Sequence, residues 1–366
     1  MKIAYIVEPR TVIGGGVRAA MNLAKSMTNL YGESSFIFGT YKGTVSDTSI
    51  TFEEVDTLKP ISVRYWKAFG NFIKKNNPDV VHCLGLYTAL GCIIWKKVHS
   101  ANFKIVCTVH RVTMNMRFKS LLKFVISYIA KNIDYATFLT NYQQKHYFDN
   151  IHYCPAKFII VPNVIYVNKV DRQQINSLRN ELKEKLSAEY LTTYVGRIIP
   201  SKNIEDTIRI VALANKKGIN LGAVLVGGYD SEYYKKLQSV IDECIISDKI
   251  TFVGYVNNPT TYTAVGDFTI TTTHGEALPN LLVESYALGK ITFSSDIPQM
   301  ADLIETGKNG FTLPLDNLSC FVQNIENILT DNNLRFTMEE NARKTYETKY
   351  DPEQVAEQYH DVYMSL

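Results

Sequence analysis

The feature that most constrains this chain is a regular alternation of short apolar, β-branched runs with longer stretches of helical period. Runs at residues 2–7, 35–39, 79–83, 104–109, 134–139 and 157–161 are separated by helical patterns at 17–30, 63–76, 86–99 and 117–132. Strands joined through helices are βαβ units, and their crossover helices cover both faces of a parallel sheet. The first run, Ile3 to Val7, is apolar throughout and fits a strand buried on both sides. The alternation pauses at 163–188, which is polar and charged. It resumes with strands at 190–195, 221–226, 250–253, 267–271 and 290–293 and helices from 203, from 231 and near 281. A single core stops growing near roughly 250–300 residues. The 366 residues therefore predict two α/β, Rossmann-like domains in series, 1–166 and 167–350, with a cleft between them and a helix in 351–366.

Composition narrows the class. The 46% hydrophobic and 20% charged content is that of a folded globular chain and excludes disorder. No apolar stretch approaches the roughly 18 residues that span a bilayer. The run 2–7 is too short for a secretory leader, so a cytoplasmic protein is expected. The six cysteines are scattered with no C-x-x-C pair, which predicts reduced thiols, not zinc or disulfides. The net charge of +3 hides an asymmetry. Residues 1–166 hold 20 basic and 9 acidic side chains, a balance of +11, and the remainder stands at −8. Different partners for the two halves follow.

In open parallel sheets ligands bind beyond the carboxyl ends of the strands, and the informative motifs all lie there. Gly14-Gly15-Gly16 follows the first strand and precedes a helix, where glycines admit a close phosphate and the helix start favours its charge. Gly14-x-Gly16-x-x-Ala19 loosely fits a dinucleotide fingerprint. However, six residues separate strand from glycines, and no acidic ribose ligand stands in 34–42. His110 ends the run 106–110 and points into the expected cleft, where it can meet a sugar hydroxyl; a structural histidine is the other reading. Gly196-Arg197 and then Pro200-Ser201-Lys202-Asn203 bracket a strand end and a helix start, a pair of cations suited to clamping a diphosphate.

The segment His274-Gly275-Glu276-Ala277-Leu278-Pro279-Asn280-Leu281-Leu282-Val283-Glu284 says most. Pro279 suits a first helical turn, and the backbone N–H groups from Asn280 to Leu282 would then face an anion. Carboxylates repel phosphates but accept hydrogen bonds from hydroxyls. Glu276 and Glu284, flanking an anion-binding helix start, therefore suggest a ligand with hydroxyls on both sides of a diphosphate. A nucleotide-sugar has that form. Two solvated glutamates are the bland alternative.

Taken together, these segments resemble the retaining glycosyltransferases of the GT-B fold, specifically the large group-4 family (glycosyl transferases group 1). The resemblance covers nearly the whole chain and is strongest over 190–315. Glu276 and Glu284 match the family's Glu-x7-Glu signature, Gly196, Arg197 and Lys202 its Gly-Arg…Lys segment, and 287–290, 295–298 and 307–310 its later stretch. It implies a GT-B architecture with the C-terminal helix returning to the N-terminal domain. It implies that Glu284 binds the ribose, that Arg197 and Lys202 hold the departing diphosphate, and that Glu276 contacts the donor sugar and His110 its hydroxyl or the reacting centre. Gly15 and Gly16 would approach the phosphate or sugar, Val256 would lie beside the nucleobase, and Asn280 and Leu281 would offer backbone donors. It implies retention of configuration, no cofactor and no metal, and no Asp-x-Asp is present at a site that could hold one. The chain departs from the family at Arg111, Asn163-Val164 and Ala277-Leu278-Pro279-Asn280.

The expected activity is transfer of a hexose-type sugar from a nucleotide-diphosphate sugar to a glycan or lipid-linked acceptor, in bacterial surface polysaccharide synthesis. Two alternatives are a non-catalytic nucleotide-sugar-binding partner and an NAD-dependent oxidoreductase. No nucleic-acid partner is expected. The charge split, with apolar residues Phe118, Leu121, Leu122, Val125, Ile126 and Ile129 beside Arg117, Lys119, Lys123 and Lys131, predicts docking of the N-terminal domain on the anionic inner face of the cell membrane.

Overall fold

A computed structural model of the protein describes residues 1–7, 15–39, 51–54, 63–110 and 119–366, with backbone alone at 51–54 and 119–121. The chain divides into two compact units, Met1–Tyr166 with Tyr350–Leu366, and Val167–Lys349.

The first unit runs β1 (Lys2–Val7), α1 (Gly15–Tyr31), β2 (Ser34–Gly39), β3 (Thr51–Glu54), α2 (Val63–Asn76), β4 (Val80–Leu84), α3 (Leu86–Val98), β5 (Lys104–Val109), α4 (Lys119–Asn132), β6 (Tyr135–Phe138), α5 (Asn141–His146) and β7 (Phe158–Ile160). Its strands form one parallel sheet in the order β3-β2-β1-β4-β5-β6-β7, the order of strand addition reversing between β1 and β4. Successive side chains of a strand point to opposite faces, and β1 shows the result. Ala4 and Ile6 pack with Tyr65, Phe69 and Ile93 of α2 and α3. Ile3, Tyr5 and Val7 pack with Val17, Leu23 and Met27 of α1. An uninterrupted apolar run is thus the signature of a strand between two helix layers.

The second unit runs α6 (Arg172–Lys185), β8 (Tyr190–Val195), α7 (Ile204–Lys216), β9 (Leu221–Val226), α8 (Ser231–Cys244), β10 (Ile250–Gly254), α9 (Pro259–Val265), β11 (Phe268–Thr271), α10 (Asn280–Ala287), β12 (Thr292–Ser295), α11 (Pro298–Ala301), β13 (Phe311–Leu313), α12 (Ser319–Thr330) and α13 (Asn332–Lys349). Its parallel sheet has the order β10-β9-β8-β11-β12-β13, so the order of strand addition reverses between β8 and β11. Helix α6 occupies the stretch where the sequence pattern paused. Its apolar content is thin, with Leu182 buried and Ile175 and Leu178 packed at the edge of the same cluster, and Asp171 caps it by accepting from the Gln173 N–H. At the amino end of this sheet the buried Asp267 carboxylate accepts from Leu191 N–H (2.9 Å) and from Arg179 (2.7 Å), tying α6 to β8 and β11. Its burial is sustained only by such partners.

The last helix, α14 (Pro352–Met364), returns to the first unit. Asp351 caps it by accepting from the Glu353 and Gln354 N–H groups. Val355, Tyr359, Val362 and Tyr363 join the α1 layer. Tyr363 also meets the sheet itself. Its hydroxyl lies 2.6 Å from Nδ1 of the buried His82 on β4, whose Nε2 lies 2.6 Å from Thr108 Oγ1. Burial, and then the charge of His110, hold the His82 pKa down to about 3, so the ring is neutral and acts as a structural strut.

Two sequence expectations shift. Gly15 and Gly16, expected in a loop, are the first residues of α1, and Gly14 lies outside the described residues. Of the apolar stripe expected at 117–132, Ile126 and Ile129 are buried in the core and Leu122 and Val125 lie at its edge, while Arg117 and Phe118 lie outside the described residues. Phe124, off that stripe, is the exposed one.

Candidate functional site

Of the sequence-predicted residues, Arg197, Lys202, Glu276, Asn280, Leu281 and Glu284 lie in the segments that follow β8 and β11, the neighbouring strands at which the second sheet's order of strand addition reverses. Such a switch point opens a crevice because adjacent connections leave to opposite faces. The β8 connection is built tightly. The Gly196 N–H donates to Val226 O (2.9 Å), the Ile198 N–H to Gly228 O (2.9 Å), and the Tyr194 hydroxyl to Arg197 O (3.2 Å). Gly227 has a φ of +139°, and a Cβ there would stand 1.9 Å from Gly196 O, so only glycine allows the two connections to approach this closely. The Gly227 N–H in turn donates to Gly254 O (2.8 Å), linking the β10 connection. Arg197 leaves this pinned backbone as an exposed side chain.

After Arg197 a single 3-10 turn, Pro200–Lys202, and Asn203 in the left-handed region (φ 49°) delay α7 to Ile204. Lys202 therefore stands on a turn ahead of the helix. The β11 connection is stapled to this turn. The His274 N–H (3.1 Å) and the Thr273 hydroxyl (3.2 Å) donate to Ser201 O, and the Thr272 hydroxyl donates to Asn203 O (2.6 Å). The Ser295 hydroxyl holds Thr273 O from β12 (2.6 Å). These bonds bring the Lys202 ammonium onto the Glu276 carboxylate in a direct ion pair, with both side chains mostly shielded from water. The phenol of Tyr194 lies beneath. Burial raises its pKa most, the Glu276 carboxylate raises it further, and Arg197 opposes them, which places that phenol within reach of both charges.

Beyond Glu276, Pro279 is the cap of α10 and not its first helical residue (φ −75°, ψ 124°). The Leu282 N–H donates to Pro279 O (3.1 Å), so it is consumed within the turn. The first-turn donors expected at 280–282 reduce to Asn280 and Leu281. No acidic residue occupies that turn, leaving its partial positive charge available to an anion. Glu284 lies on the buried side of α10.

The remaining predicted residues fall elsewhere. Val256 packs toward α6 in a groove of about 610 Å³ with Leu178, Asn258, Thr261 and Tyr262. In the first unit, Gly15 and Gly16 open α1 after β1, and a side chain added at either would meet nothing within 4 Å. His110 follows β5, half-buried. The strand end there is fixed by the buried Gln143, which donates to Val109 O (2.9 Å) and accepts from the Leu139 N–H (2.7 Å). Arg111 lies outside the described residues. Among the described residues no group of three His, Cys, Asp or Glu side chains is placed to hold a metal.

Sequence reasoning missed the staples. Their signals were the run Thr271-Thr272-Thr273 at a strand end and the pair Gly227-Gly228 after an apolar strand.

Comparison with known proteins places the family and the fold. Residues 13–169 match the model of Glycosyltransferase Family 4, and residues 176–345 that of Glycosyl transferases group 1. The capsular polysaccharide biosynthesis glycosyltransferase CapM of Staphylococcus aureus is 23% identical over 54% of this chain and 52% of its own. A Campylobacter jejuni N-acetylgalactosamine-N,N'-diacetylbacillosaminyl-diphospho-undecaprenol 4-alpha-N-acetylgalactosaminyltransferase is 26% identical over 68% of this chain and 66% of its own. The matches to these curated relatives thus span about half to two thirds of their length. The fold of Anabaena Alr3699/HepE, solved in complex with UDP-glucose, superposes with a TM-score of 0.85 over 100% of both chains at 16% identity. On these matches and on its two Rossmann units, the chain belongs to the group-1 glycosyltransferases of the GT-B fold.

Proposed function

We propose that the protein transfers a hexose-type sugar from a nucleoside-diphosphate sugar to a glycan or lipid-linked acceptor, with retention of configuration, in bacterial surface polysaccharide synthesis. The observation that carries this reading is the Lys202–Glu276 ion pair at the β8/β11 switch point, formed between the two connections that also carry Arg197 and the α10 start. A cation and a carboxylate in contact suit the junction of a diphosphate and a sugar, where a phosphate oxygen and a hydroxyl lie a few bonds apart. Arg197, Lys202 and the Asn280 and Leu281 N–H groups face the charge that develops on the leaving diphosphate, and fixed donors of that kind lower the barrier most. Glu276 accepts from sugar hydroxyls and Glu284 from the ribose, with Val256 toward the base. On the first unit, Gly15 and Gly16 are assigned to the phosphate or sugar, and His110 to a hydroxyl of the donor sugar or the reacting centre.

Retention follows in this reading from attack on the face that the phosphate leaves, with that phosphate taking the acceptor proton. The cations supply the charge that a metal would otherwise bring, so turnover is metal-independent and needs no cofactor. The relatives named for capsular polysaccharide and for a diphospho-undecaprenol substrate support an acceptor of that class, at the inner surface of the cell membrane. The oxidoreductase alternative loses its ground with the family match.

The test is a thermal-shift panel of nucleotide-sugars with bare nucleotides as controls, followed by donor hydrolysis without acceptor. A ligand at 100 times its dissociation constant adds about 2.7 kcal/mol. One nucleotide-sugar raising the melting temperature and being hydrolysed supports the enzyme. A shift without hydrolysis, with or without candidate acceptors, identifies a non-catalytic binder, and no shift with any donor refutes the donor site.

A further inference from the structure

The two faces of the first sheet differ in charge. On one face the signs mix, with Glu353, Glu357 and Asp361 on α14 beside Arg18 and Lys25 on α1. On the other face, α2, α3 and α4 contain no Asp or Glu at all. Helix α2 carries Arg64, Lys67, Lys74 and Lys75, α3 carries Lys96 and Lys97, and α4 carries Lys123 and Lys131. Helix α13, by contrast, mixes signs, with Glu339, Glu340, Arg343 and Lys344. The layer of α2, α3 and α4, beside Asp149 of the 147–151 turn on the same face, also exposes hydrocarbon. Val63 is 85% exposed, Val98 72%, Phe124 72% and Ile94 50%.

Between α2 and α3 that layer opens into an apolar groove of about 270 Å³, walled by Trp66, Tyr87, Leu90, Ile94 and Val98. Gly91 forms its floor. The Trp66 ring lies 1.7 Å from where a Cβ would stand, so glycine is what lets the indole approach α3 this closely. Tyr65 and Phe69 brace Trp66 edge-on at 5.1 and 5.3 Å, and His99 stacks on Trp95 at 4.3 Å. The walls are thereby set before anything binds, which lowers the cost of binding. Lys67 and Lys97 stand beside the walls in sequence, and Lys97 is ordered by Asn132 (2.6 Å) and the Tyr128 ring (4.8 Å). Lys96 leans instead toward Asp134 (4.0 Å).

We infer that this groove takes a single hydrocarbon chain of an anionic membrane lipid, while the surrounding cations hold the headgroups. The layer offers cations and hydrocarbon, the chemistry of a bilayer interface. The groove falls below the roughly 300–1,000 Å³ of drug-sized ligand sites, so it fits one chain and not a partner helix. The inference rests on the proposal that the acceptor is membrane-borne, and it adds where and how the first unit sits on the membrane.

Trp66 and Trp95, both lining the groove, are the only tryptophans in the chain, so tryptophan emission, excited selectively over the tyrosines, reads this site alone. The experiment mixes the full chain with phosphatidylglycerol vesicles whose acyl chains are brominated, at low and high salt, beside brominated phosphatidylcholine vesicles. Co-sedimentation is measured in parallel. The expected result is binding to phosphatidylglycerol with quenching of tryptophan emission. The double variant Ile94→Glu/Val98→Glu, at exposed positions, abolishes quenching and leaves the nucleotide-sugar thermal shift unchanged. Lys67→Glu with Lys74→Glu weakens partitioning by about fivefold per cation removed. Three results overturn the inference: no binding to phosphatidylglycerol, binding without quenching, or quenching that survives Ile94→Glu/Val98→Glu. Equal quenching by the neutral lipid overturns its anionic part. Binding without quenching leaves a membrane-borne acceptor standing, because charge alone then docks the protein. The donor reading is judged separately by the nucleotide-sugar shift.

Discussion

Replacing Lys202 with Met tests the site most directly. Its ammonium pairs with Glu276, and the two side chains are 12% and 25% exposed. Removing the cation leaves a carboxylate that still reaches some water, so the stability cost is about 1 kcal/mol or less. For a unit of this size that is a fall in melting temperature of about 2–4 °C. The kinetic cost is far larger if the same ammonium faces charge developing on the leaving diphosphate. A fixed donor of that kind is worth about 2–4 kcal/mol in the transition state, or about 30- to 1,000-fold in kcat/KM. The assay is donor turnover with a matched thermal melt. A second variant, Lys202→Met with Glu276→Gln, separates the two explanations. If Lys202 served only to neutralise Glu276, the double variant would recover activity. If each partner has its own contact with the donor, the double variant is no better than Lys202→Met, and that is the expected result. A kcat/KM within threefold of the parent in Lys202→Met, or recovery in the double variant, refutes the clamp.

Arg197→Ala is expected to lower kcat/KM by the same 30- to 1,000-fold, with about 2–4 kcal/mol lost in the transition state and an unchanged melt, since its side chain is exposed; a normal kcat removes it from the site. Glu284→Ala should weaken bare nucleotide binding by about 10- to 100-fold, the worth of a charged hydrogen bond, as measured by calorimetry; equal affinity ends the ribose assignment. Turnover should persist in EDTA, and full loss restored by Mg²⁺ or Mn²⁺ overturns the metal-independent reading. Acid should destabilise the first unit through His82. Its folded pKa, about 3, lies below the ordinary value near 6.5, so the unfolded chain takes up the proton first. The stability it contributes is full above about pH 6.5 and is lost at about 1.4 kcal/mol per pH unit as pH falls toward 3. Measured by denaturant midpoint, His82→Asn should close on the parent by about 2 kcal/mol between pH 7 and pH 5, and a constant gap refutes the coupling.

Much of this fold was written in the sequence, for a definite reason. Strands buried on both faces are apolar at nearly every position, so β1 and β9 stand out as near-continuous runs and their bounds can be read directly. Helix α2 is as legible, because one face packs on the sheet and the other bears lysines. Elements that bury little escape the same reading. Helix α6 fixes itself with a cap and a few apolar residues amid charge, and β13 is three residues long, so neither gives a period to detect. The site divides in the same way. Residue types and strand ends were enough to name Arg197, Lys202, Glu276 and Glu284 as candidates, because few side chains suit a diphosphate or a sugar. The contact between Lys202 and Glu276 was not in the sequence. The two residues are 74 positions apart, and they meet because β8 and β11 are neighbours in the sheet and threonine hydroxyls staple their connections. The basic layer follows the same logic. Its charge can be counted along the chain, but only the packing of α2 against α3 turns Trp66 and Gly91 into a groove, since alignment across two helices is decided by tertiary contacts and not by either helix alone.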